Sequence, residues 1–435
     1  MMLFHPSLLL RATNHPHPHR AVVSAVGRTL MMVGRRGMVA AGVTTWSRRH
    51  FHVTLSSSSC LSSLQQQKRT MSSSSNDLKY TNVAITRDIP SSIVQDGLTK
   101  YSTNTEKLNL TQAREQHEYY VQTLQTLVPN VIQLPTIEEY PDCVFVEDTC
   151  FVVKQRRTAS NNSNDDDDDD MIITVILTNP GHVSRRGEVD SMKDLFVNTI
   201  LPNYRRDNNG NTTTTTTTTT IHLYDMREYN NENTTDTIYC DGGDVLYTGR
   251  HLFVGISERT NGAAVNYLQS IFHNNAAANR DMPPPPPPPL PTLTASPFQQ
   301  QQQQLLHKPV APVIPVSLPQ NNTEALHLKS IVTHIDEYTL LVPTGQLGDD
   351  ILQSMFEQHD ADDEYDGYEI IRVPNLLACN VVIVSGTVLA QDGGCDQSKR
   401  ILEDVAQRKN LNLIWTDNSE LAKVDAALTC CSILL

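Results

Sequence analysis

The segment 381–392 reads VVIVSGTVLAQD and decides the class of fold. Two runs rich in β-branched residues flank Ser385 and Gly386, which can supply a tight turn, so the segment predicts a β-hairpin. Ile401 and Val405 follow at helical spacing, and a further apolar run occupies 411–415. A hairpin, a helix and another strand in succession predict a mixed α/β chain.

Outside this segment, short apolar runs alternate with amphipathic stretches in the same way. Acidic residues beside a strand, a short link and a second strand recur at 142–148 and 241–249. Helical spacing also appears at 120–128 and 192–196. The predicted strands lie at 144–146, 151–154, 172–177, 245–247, 252–256, 338–342, 368–373, 381–389 and 411–415. No fixed period is visible, so the sequence leaves open a repeat architecture or an ordinary sheet.

Residues 1–76 differ in composition from the rest of the chain. They carry nine Lys or Arg and no Asp or Glu, whereas the whole 435-residue chain has a formal charge of −14. Such a leader is typical of a transit peptide, so we expect a mitochondrial location, with a cytoplasmic one as the alternative. A disordered tail or a gene prediction that starts upstream of Met71 fits the same composition. We therefore predict a leader at 1–76 and a single folded domain at 77–435.

Three low-complexity stretches interrupt this domain, at about 159–170, 207–220 and 273–304. They contain six consecutive Asp, nine consecutive Thr, and seven Pro with six Gln. Segments of this composition cannot bury enough apolar surface to order themselves, so we interpret them as solvent loops. The Asp run is accordingly a solvated face and not a metal site.

Composition excludes several classes of partner. Residues 77–435 carry a formal charge of −23, because the leader contributes +9 to the total of −14, and an acidic body repels nucleic acid. The apolar run at 21–43 is interrupted by Arg28, Arg35 and Arg36, so no membrane span is expected. The eight Cys form no CxxC pair, which argues against a zinc module or a small disulfide scaffold and favours reduced thiols.

Three carboxylates lie close together beside a predicted strand, at Asp142, Glu147 and Asp148. Near an apolar strand they repel one another and lose hydration unless a cation joins them, and a planar guanidinium satisfies carboxylates through parallel hydrogen bonds. The alternative is a strand-end cluster that faces water. Arg185 and Arg259 could hold a carboxylate bidentately, or form ordinary surface salt bridges.

A second group of residues suggests nucleophilic chemistry. Asp241 begins an Asp-Gly-Gly-Asp stretch and could orient a histidine, although the same stretch fits a plain turn. His327 lies in an apolar context that suits a satisfied core histidine equally well. Cys430 and Cys431 are buried inert thiols unless a histidine or a bound cation activates one of them. Prenylation is excluded, because the fourth residue from the end is Ser432.

Seven motifs occur in order along the chain: VFVED, NPGHVSRRGEVD, DGGDVLYTGR, HLFVGISERTN, LHLKS, ACN and KVDAALTCCS. Together they resemble the motifs of the dimethylarginine dimethylaminohydrolases of the guanidine-modifying superfamily. The match runs from about Tyr80 onward apart from the insertions. The resemblance implies a five-bladed α/β propeller (pentein) of ββαβ modules around a central substrate channel. It also implies hydrolysis of asymmetric dimethylarginine and monomethylarginine to citrulline and dimethylamine or methylamine.

The resemblance assigns roles to individual residues. Cys430 matches the nucleophile, His327 the catalytic histidine and Asp241 the acid that orients it. The matched substrate contacts are Asp142 and Asp148 with Glu147 beside them at the guanidinium, Arg185 and Arg259 at the amino-acid end, and Leu98 and the Val424 backbone elsewhere. No metal or organic cofactor is implied, and the partner is a small-molecule substrate.

Two alternatives remain open at this point. An arginine deiminase or an amidinotransferase of the same superfamily would use the same Cys, His and acid. A non-catalytic propeller that binds arginine-like ligands is the other, although such a module needs no nucleophile. The sequence also fits a monomer or a homodimer.

Overall fold

A computed structural model of the protein describes residues 81–99, 106–157, 170–203, 219–229, 237–272, 311–319, 325–357 and 365–435. All of them belong to the second of two units into which the chain divides, Ser73–Leu435. The predicted leader at 1–76 and most of the three predicted insertions lie outside the described residues. Asp170, Thr219 and Thr220, which we assigned to insertions, belong instead to strands.

Fifteen strands and six α-helices occur within these ranges. The strands are β1 (Val83–Arg87), β2 (Asn130–Leu134), β3 (Cys150–Arg157), β4 (Asp170–Leu177), β5 (Thr219–Asp225), β6 (Val245–Tyr247), β7 (Leu252–Ile256), β8 (Val313–Ser317), β9 (Thr333–Asp336), β10 (Thr339–Pro343), β11 (Glu369–Val373), β12 (Val381–Val384), β13 (Thr387–Gln391), β14 (Asn412–Thr416) and β15 (Ile433–Leu434). The helices are α1 (Ile93–Asp96), α2 (Leu110–Leu127), α3 (Glu188–Leu195), α4 (Gly262–Phe272), α5 (Gln346–Phe356) and α6 (Asp396–Arg408).

The strands form five three-stranded sheets that share one pattern. The sheet orders are β15-β1-β2, β3-β4-β5, β6-β7-β8, β9-β10-β11 and β12-β13-β14. In each sheet the middle strand is antiparallel to the first strand and parallel to the third. A parallel pair needs a crossover, which α2, α3, α4, α5 or α6 supplies in turn. The mixed α/β class is therefore confirmed, and the described residues contain five copies of one strand pattern.

One sheet is assembled from both ends of the described chain. Strand β15 pairs antiparallel with β1, with Ala84 opposite Leu434 and Ile85 opposite Ile433. The amide of Leu435 also donates to the carbonyl of Val83 at 2.8 Å. The first sheet is thus complete only when the last strand has joined it.

Most predicted strands are confirmed, with ends shifted by a few residues. The predicted strand 381–389 is two strands, β12 and β13, joined at Ser385 and Gly386, whose φ angles of 47° and 73° suit the predicted turn. The predicted strand at 144–146 is wrong: Val144 lies in a turn, and Val146 begins a 3-10 helix, Val146–Thr149. The Phe145 amide donates to the Asp142 carbonyl at 2.9 Å within the turn. The backbone of this apolar segment therefore finds a hydrogen-bond partner in the buried interior without a neighbouring strand.

Helices α2, α3 and α6 contain most of the segments with predicted helical spacing, whereas α1, α4 and α5 were not predicted. Helix α2 begins where the Asn109 side chain accepts the Gln112 amide at 3.3 Å, and it buries Tyr120 and Leu124 in a cluster that includes Ala84 of β1. Burial of each large side chain stabilises the fold by at most about 1.5–3 kcal/mol. No helix in the parts of the chain that the structure describes has both the length and the apolar character needed to cross a bilayer.

A short 3-10 turn precedes the first strand of every sheet. The five turns are Val146–Thr149 before β3, Gly242–Asp244 before β6, Leu328–Ser330 before β9, Leu376–Cys379 before β12 and Leu428–Cys431 before β15. Four of these turns contain or directly follow a residue that the sequence assigns to a functional site. The repeated pattern therefore places the candidate residues at equivalent positions in different sheets.

Candidate active site

A small, partly open cavity is lined by most of the predicted site residues. Its volume is about 30 Å³, which is room for roughly one or two water molecules. Nine of the ten predicted residues line it: Leu98, Asp142, Asp148, Arg185, Asp241, Arg259, His327, Val424 and Cys430. Phe145, Leu326, Asp425 and Ala426 complete the wall. Residues up to 332 positions apart in sequence, Leu98 and Cys430, thus meet at one place.

The first cysteine of the pair faces the cavity, and the second does not. Cys430 lies in the turn that precedes β15 and is only 7% exposed. Burial raises the pKa of its thiol well above the ordinary value, and the Glu147 and Asp148 carboxylates add to the shift. Cys431 points into the core, where its Sγ lies 3.8 Å from the Ala427 carbonyl. The thiol of Cys430 is therefore protonated at rest.

His327 is held by Asp241. Its Nε2 atom lies 3.1 Å from Asp241 Oδ2, and Asp241 Oδ1 accepts the Gly181 amide at 2.8 Å. Burial lowers the pKa of the imidazole, but the nearby Asp148 and Asp241 carboxylates outweigh burial and raise it to about 9. A Cβ added at Gly243 would lie 2.7 Å from His327 Nδ1, so glycine is required there for close approach. The histidine is consequently a fixed cation at neutral pH.

Two carboxylates reach the cavity with different environments. Asp148 Oδ1 accepts the Gly243 amide at 3.0 Å and lies 3.9 Å from His327 Nδ1. Burial raises the pKa of Asp148, but attraction to His327 and Arg185 outweighs burial and lowers it. Asp142 Oδ1 accepts the Leu98 amide at 3.1 Å, and burial raises the pKa of Asp142 despite attraction to Arg185. Asp148 is therefore the more firmly ionised of the two.

The placement of Glu147 differs from the predicted one. Glu147 does not line this cavity; its carboxylate forms an ion pair with Lys329 at 2.6 Å and accepts the Thr429 hydroxyl at 3.0 Å. A second cavity of about 200 Å³ lies on that side and is lined by Glu147, Lys329 and Thr429 among others. Because Lys329 supplies the counter-charge, Glu147 supports the wall between the cavities instead of facing the same ligand as Asp148.

Arg185 also departs from its expected role. Its Nη2 atom donates to Glu188 Oε2 at 2.7 Å and to the Phe145 carbonyl at 2.9 Å, and Nη1 forms an ion pair with Asp148. Arg185 lines the cavity but is only 4% exposed, and its guanidinium N–H groups donate to other protein groups. Glu188, three residues after Arg185, is the partner that the sequence interpretation overlooked. The structure makes Arg185 a support for Asp148.

Arg259 is the cation that remains available to a ligand. It is half-buried on the cavity wall. Within the described ranges, its guanidinium makes no hydrogen bond or ion pair, and only its backbone amide is engaged, by Ser257 Oγ at 2.9 Å. A free guanidinium beside a buried cavity is suited to a carboxylate ligand. Both predicted arginines line the cavity, and of the two only Arg259 has a guanidinium without a protein partner among the described residues.

A polar network that the sequence interpretation missed holds the cysteine turn. The Thr429 amide donates to Asn380 Oδ1 at 3.1 Å, and Asn380 Nδ2 donates to the Lys329 carbonyl at 2.9 Å and to Thr429 Oγ1 at 3.0 Å. Thr429 in turn donates to Glu147. The ACN motif, which ends in Asn380, was the available signal. This network fixes the residue directly before Cys430.

Three buried groups could geometrically hold a divalent ion. One donor atom each from Asp148, Asp241 and His327 lies within 4.8 Å of the others. Each group already has a partner, since His327 bonds Asp241 and Arg185 neutralises Asp148. The hydrogen bonds of the protein therefore account for the cluster without a metal.

The chain resembles known proteins in sequence and in fold, although no protein-family model matches it. The dimethylarginine dimethylaminohydrolase of Pseudomonas aeruginosa is 22% identical over 346 residues, covering 79% of this chain and 96% of that protein. The corresponding protein of Streptomyces coelicolor is 22% identical over 346 residues, covering 80% and 94%. These relatives confirm the resemblance to that family.

Solved structures show the same fold. A Pseudomonas aeruginosa dimethylarginine dimethylaminohydrolase variant complexed with citrulline superposes with a TM-score of 0.51 at 22% identity, covering 82% of this chain and 100% of that one. A second variant of such an enzyme, an adduct with S-methyl-L-thiocitrulline, gives a TM-score of 0.50 at 22% identity, covering 82% and 100%. The mixed α/β architecture is therefore that of these proteins.

Proposed function

We propose that the chain hydrolyses N(omega)-methylated arginines to citrulline and dimethylamine or methylamine. The observation that carries this proposal is the common cavity of Cys430, His327, Asp148 and Arg259, with Asp241 behind the histidine. A nucleophile, an acid-base group, a carboxylate and a free guanidinium match the parts of such a substrate. Its guanidinium is a cation, and its far end carries an α-carboxylate.

Substrate binding follows from the charges on the cavity wall. Asp148 is ionised and Asp142 lies beside it, so the methylated guanidinium binds between them and Cys430. Arg259 receives the α-carboxylate. Leu98 and Val424 contact the connecting part of the substrate. Because the cavity holds only about 30 Å³, wall side chains must move apart when an arginine derivative enters.

The resting state of Cys430 fits a substrate-assisted mechanism. The Cys430 thiol is neutral because burial and two carboxylates disfavour the thiolate. A bound guanidinium brings a positive charge next to the sulfur and so lowers the pKa of the thiol. When substrate is present the thiol gives its proton to solvent water, because His327 is already protonated, and the thiolate attacks the guanidinium carbon in line.

The two halves of the reaction then use His327 in opposite senses. The new S–C bond forms a tetrahedral adduct, and the protonated His327 gives its proton to the departing methylamine or dimethylamine as the C–N bond breaks. A thiouronium remains on Cys430. The neutral His327 takes a proton from water, whose oxygen attacks the same carbon. The C–S bond then breaks as the hydroxyl proton of this adduct passes to the departing sulfur, which releases citrulline and restores the Cys430 thiol and the protonated His327.

The architecture proposed with this function is a five-bladed α/β propeller around a central substrate channel. The five equivalent sheets support it, as do the turns that deliver Asp148, Asp244, Lys329 and Cys430 from different sheets. A crystal structure with bound citrulline tests the arrangement: five blades around the ligand are expected, and a ligand outside the common cavity would contradict it.

Citrulline release from asymmetric dimethylarginine, monomethylarginine and arginine tests the function. The protein from Met71 onward should turn over the methylated substrates, Cys430→Ser should not, and Cys431→Ser is the matched control that should. Turnover of arginine alone would indicate a deiminase. Amidine transfer to an added amine would indicate an amidinotransferase, and binding without reaction would indicate a non-catalytic propeller.

We also propose mitochondrial import directed by residues 1–76, on the basis of their composition. A fusion of these residues to a fluorescent reporter should reach mitochondria, and a reporter that stays cytosolic contradicts the proposal. This test is independent of the enzymatic one.

A further inference from the structure

We infer that Asp244 is a positioning residue that joins the turn of the catalytic histidine to the loop of the arginine that receives the substrate carboxylate. The inference rests on the proposed function and deepens it. Asp244 is the last residue of the Asp-Gly-Gly-Asp stretch, and neither the motif comparison nor the cavity wall assigns it a role. It is fully buried, with 0% of its surface exposed.

One oxygen of Asp244 holds the histidine side of the site. Its Oδ1 atom accepts the Leu328 amide at 3.0 Å, directly after His327. A Cβ added at Gly255 would lie 2.9 Å from this oxygen and 2.9 Å from Leu328 Cβ, so the segments pack closely. The backbone that carries the imidazole is therefore tied to Asp244.

The other oxygen holds the arginine side. Ser257 Oγ donates to Asp244 Oδ2 at 2.6 Å, and the same hydroxyl accepts the amides of Arg259 at 2.9 Å and Thr260 at 3.2 Å. Thr260 Oγ1 accepts the amide of Asp241 at 3.1 Å. The loop that presents Arg259 thus depends on one serine hydroxyl and on the carboxylate behind it.

The chemistry of this link requires a carboxylate. Both acceptor sites of the Ser257 oxygen are used by amides, so its proton must go to an acceptor, which Asp244 Oδ2 provides. An asparagine offers a single acceptor oxygen. If that oxygen still accepts the Leu328 amide, the side-chain NH2 group of the asparagine faces Ser257. The Ser257 oxygen already accepts two amides, so it cannot accept this NH2 group, and the hydroxyl proton loses its own acceptor.

This geometry predicts a specific kinetic signature. Asp244→Asn and Ser257→Ala should each raise KM for asymmetric dimethylarginine roughly tenfold, the size expected for one charge-assisted hydrogen bond. We expect kcat to fall less than about threefold, because Asn can still hold the Leu328 amide. The double variant should be no worse than either single one, since both remove the same link. Ser257→Thr, which keeps the hydroxyl, should leave KM close to the wild-type value.

Ser270→Ala provides a matched control. Ser270 is a buried serine of α4, between two strands of the same sheet, and its hydroxyl donates to the Tyr267 carbonyl at 2.6 Å, away from the cavity. Its removal should lower stability without changing KM. Equal KM effects in Ser270→Ala and Ser257→Ala, or additive effects of Asp244→Asn and Ser257→Ala, overturn the inference.

A second measurement separates this inference from the proposed function. Amide hydrogen exchange on the unliganded protein should speed up at Arg259 and Thr260 in both Asp244→Asn and Ser257→Ala, but not in Ser270→Ala. Absence of methylarginine turnover by the wild-type protein overturns the proposed function. Unchanged exchange at these amides in Asp244→Asn overturns the positioning role, whether or not the wild-type protein is active.

Discussion

Asp241 presents one carboxylate oxygen to His327, at 3.1 Å from Nε2, while its other oxygen is fixed by the Gly181 amide. This arrangement sets the orientation of the imidazole and leaves Nδ1 facing Asp148. An acid so placed stabilises the histidine in the form that the proposed reaction uses.

Asp241→Asn should therefore lower kcat by roughly 10²- to 10⁴-fold, the range seen when an orienting acid is replaced in comparable sites. KM should change little, because both carboxylate oxygens of Asp241 are engaged by protein groups, His327 and the Gly181 amide. Steady-state kinetics with asymmetric dimethylarginine checks this prediction. An unaltered kcat in a folded variant would show that His327 is oriented by something else.

The ionisation of His327 gives a second prediction. Burial lowers its pKa, but Asp148 and Asp241 raise it to about 9, above its ordinary value of 6.5. Because the folded-state pKa is raised, the stabilisation is fully present below about pH 6.5 and is lost as pH rises through 9. NMR titration of Cys430→Ser should find a protonated imidazole at pH 7. Asp148→Asn should lower its pKa, and an imidazole that titrates near 6.5 in both proteins contradicts the assignment.

The resting state of Cys430 predicts selective alkylation. Its thiol pKa is raised by burial first and then by Glu147 and Asp148, so a neutral reagent such as iodoacetamide should react slowly at pH 7. Chloroacetamidine carries a guanidinium-like cation and should react faster at Cys430, while the exposed Cys395 should react with both reagents. Mass spectrometry locates the Cys430 label, which Cys430→Ser should abolish and Cys431→Ser should retain. Equal rates for the two reagents would remove the argument for activation by a bound cation.

The ion pair between Glu147 and Lys329 predicts a loss of stability and not of substrate affinity. Lys329→Met leaves the buried Glu147 carboxylate without a counter-charge, which should cost about 3–5 kcal/mol of unfolding free energy. Lys329→Met combined with Glu147→Gln should recover most of that loss. Denaturant unfolding measures both effects. A large rise in KM for Glu147→Gln at normal stability would return Glu147 to the substrate site.

The two arginines should behave differently on removal. Arg259→Ala should raise KM roughly ten- to a hundredfold with little change in Tm, because its guanidinium is free for the ligand. Arg185→Ala should lower Tm strongly, because it leaves buried Asp148 and Glu188 carboxylates unpaired. Kinetics and thermal unfolding on the same preparations compare the pair. Similar effects from both substitutions would support the original expectation of an arginine clamp.

The sequence predicted which residues line the cavity better than it predicted the contacts of each side chain. The order of the motifs was enough to group Cys430, His327 and Asp241, because residue types and their order can be read directly from the sequence. The ion pairs of Lys329 with Glu147 and of Glu188 with Arg185 were not predicted, because pairing in three dimensions leaves no local sequence pattern. Lys329 and Glu188 are nevertheless part of the quoted motifs.

In the fold as well, some elements could be predicted from the sequence and others could not. The turn at Ser385 was predictable because a backbone with positive φ needs particular residues. The buried turn at 144–146 was not, since an apolar run of three residues fits a strand and a compact turn equally well. Strands β5 and β8 lie next to low-complexity sequence, where the alternation of apolar residues is weak.

The pairing of β15 with β1 gives the Cys430 turn a long-range anchor. This turn, Leu428–Cys431, leads directly into β15, whose Ile433 lies opposite Ile85 of β1. A substitution that weakens the pairing should therefore also loosen the turn that holds the thiol. The rate at which chloroacetamidine alkylates Cys430 can thus report the state of a sheet that lies outside the cavity wall.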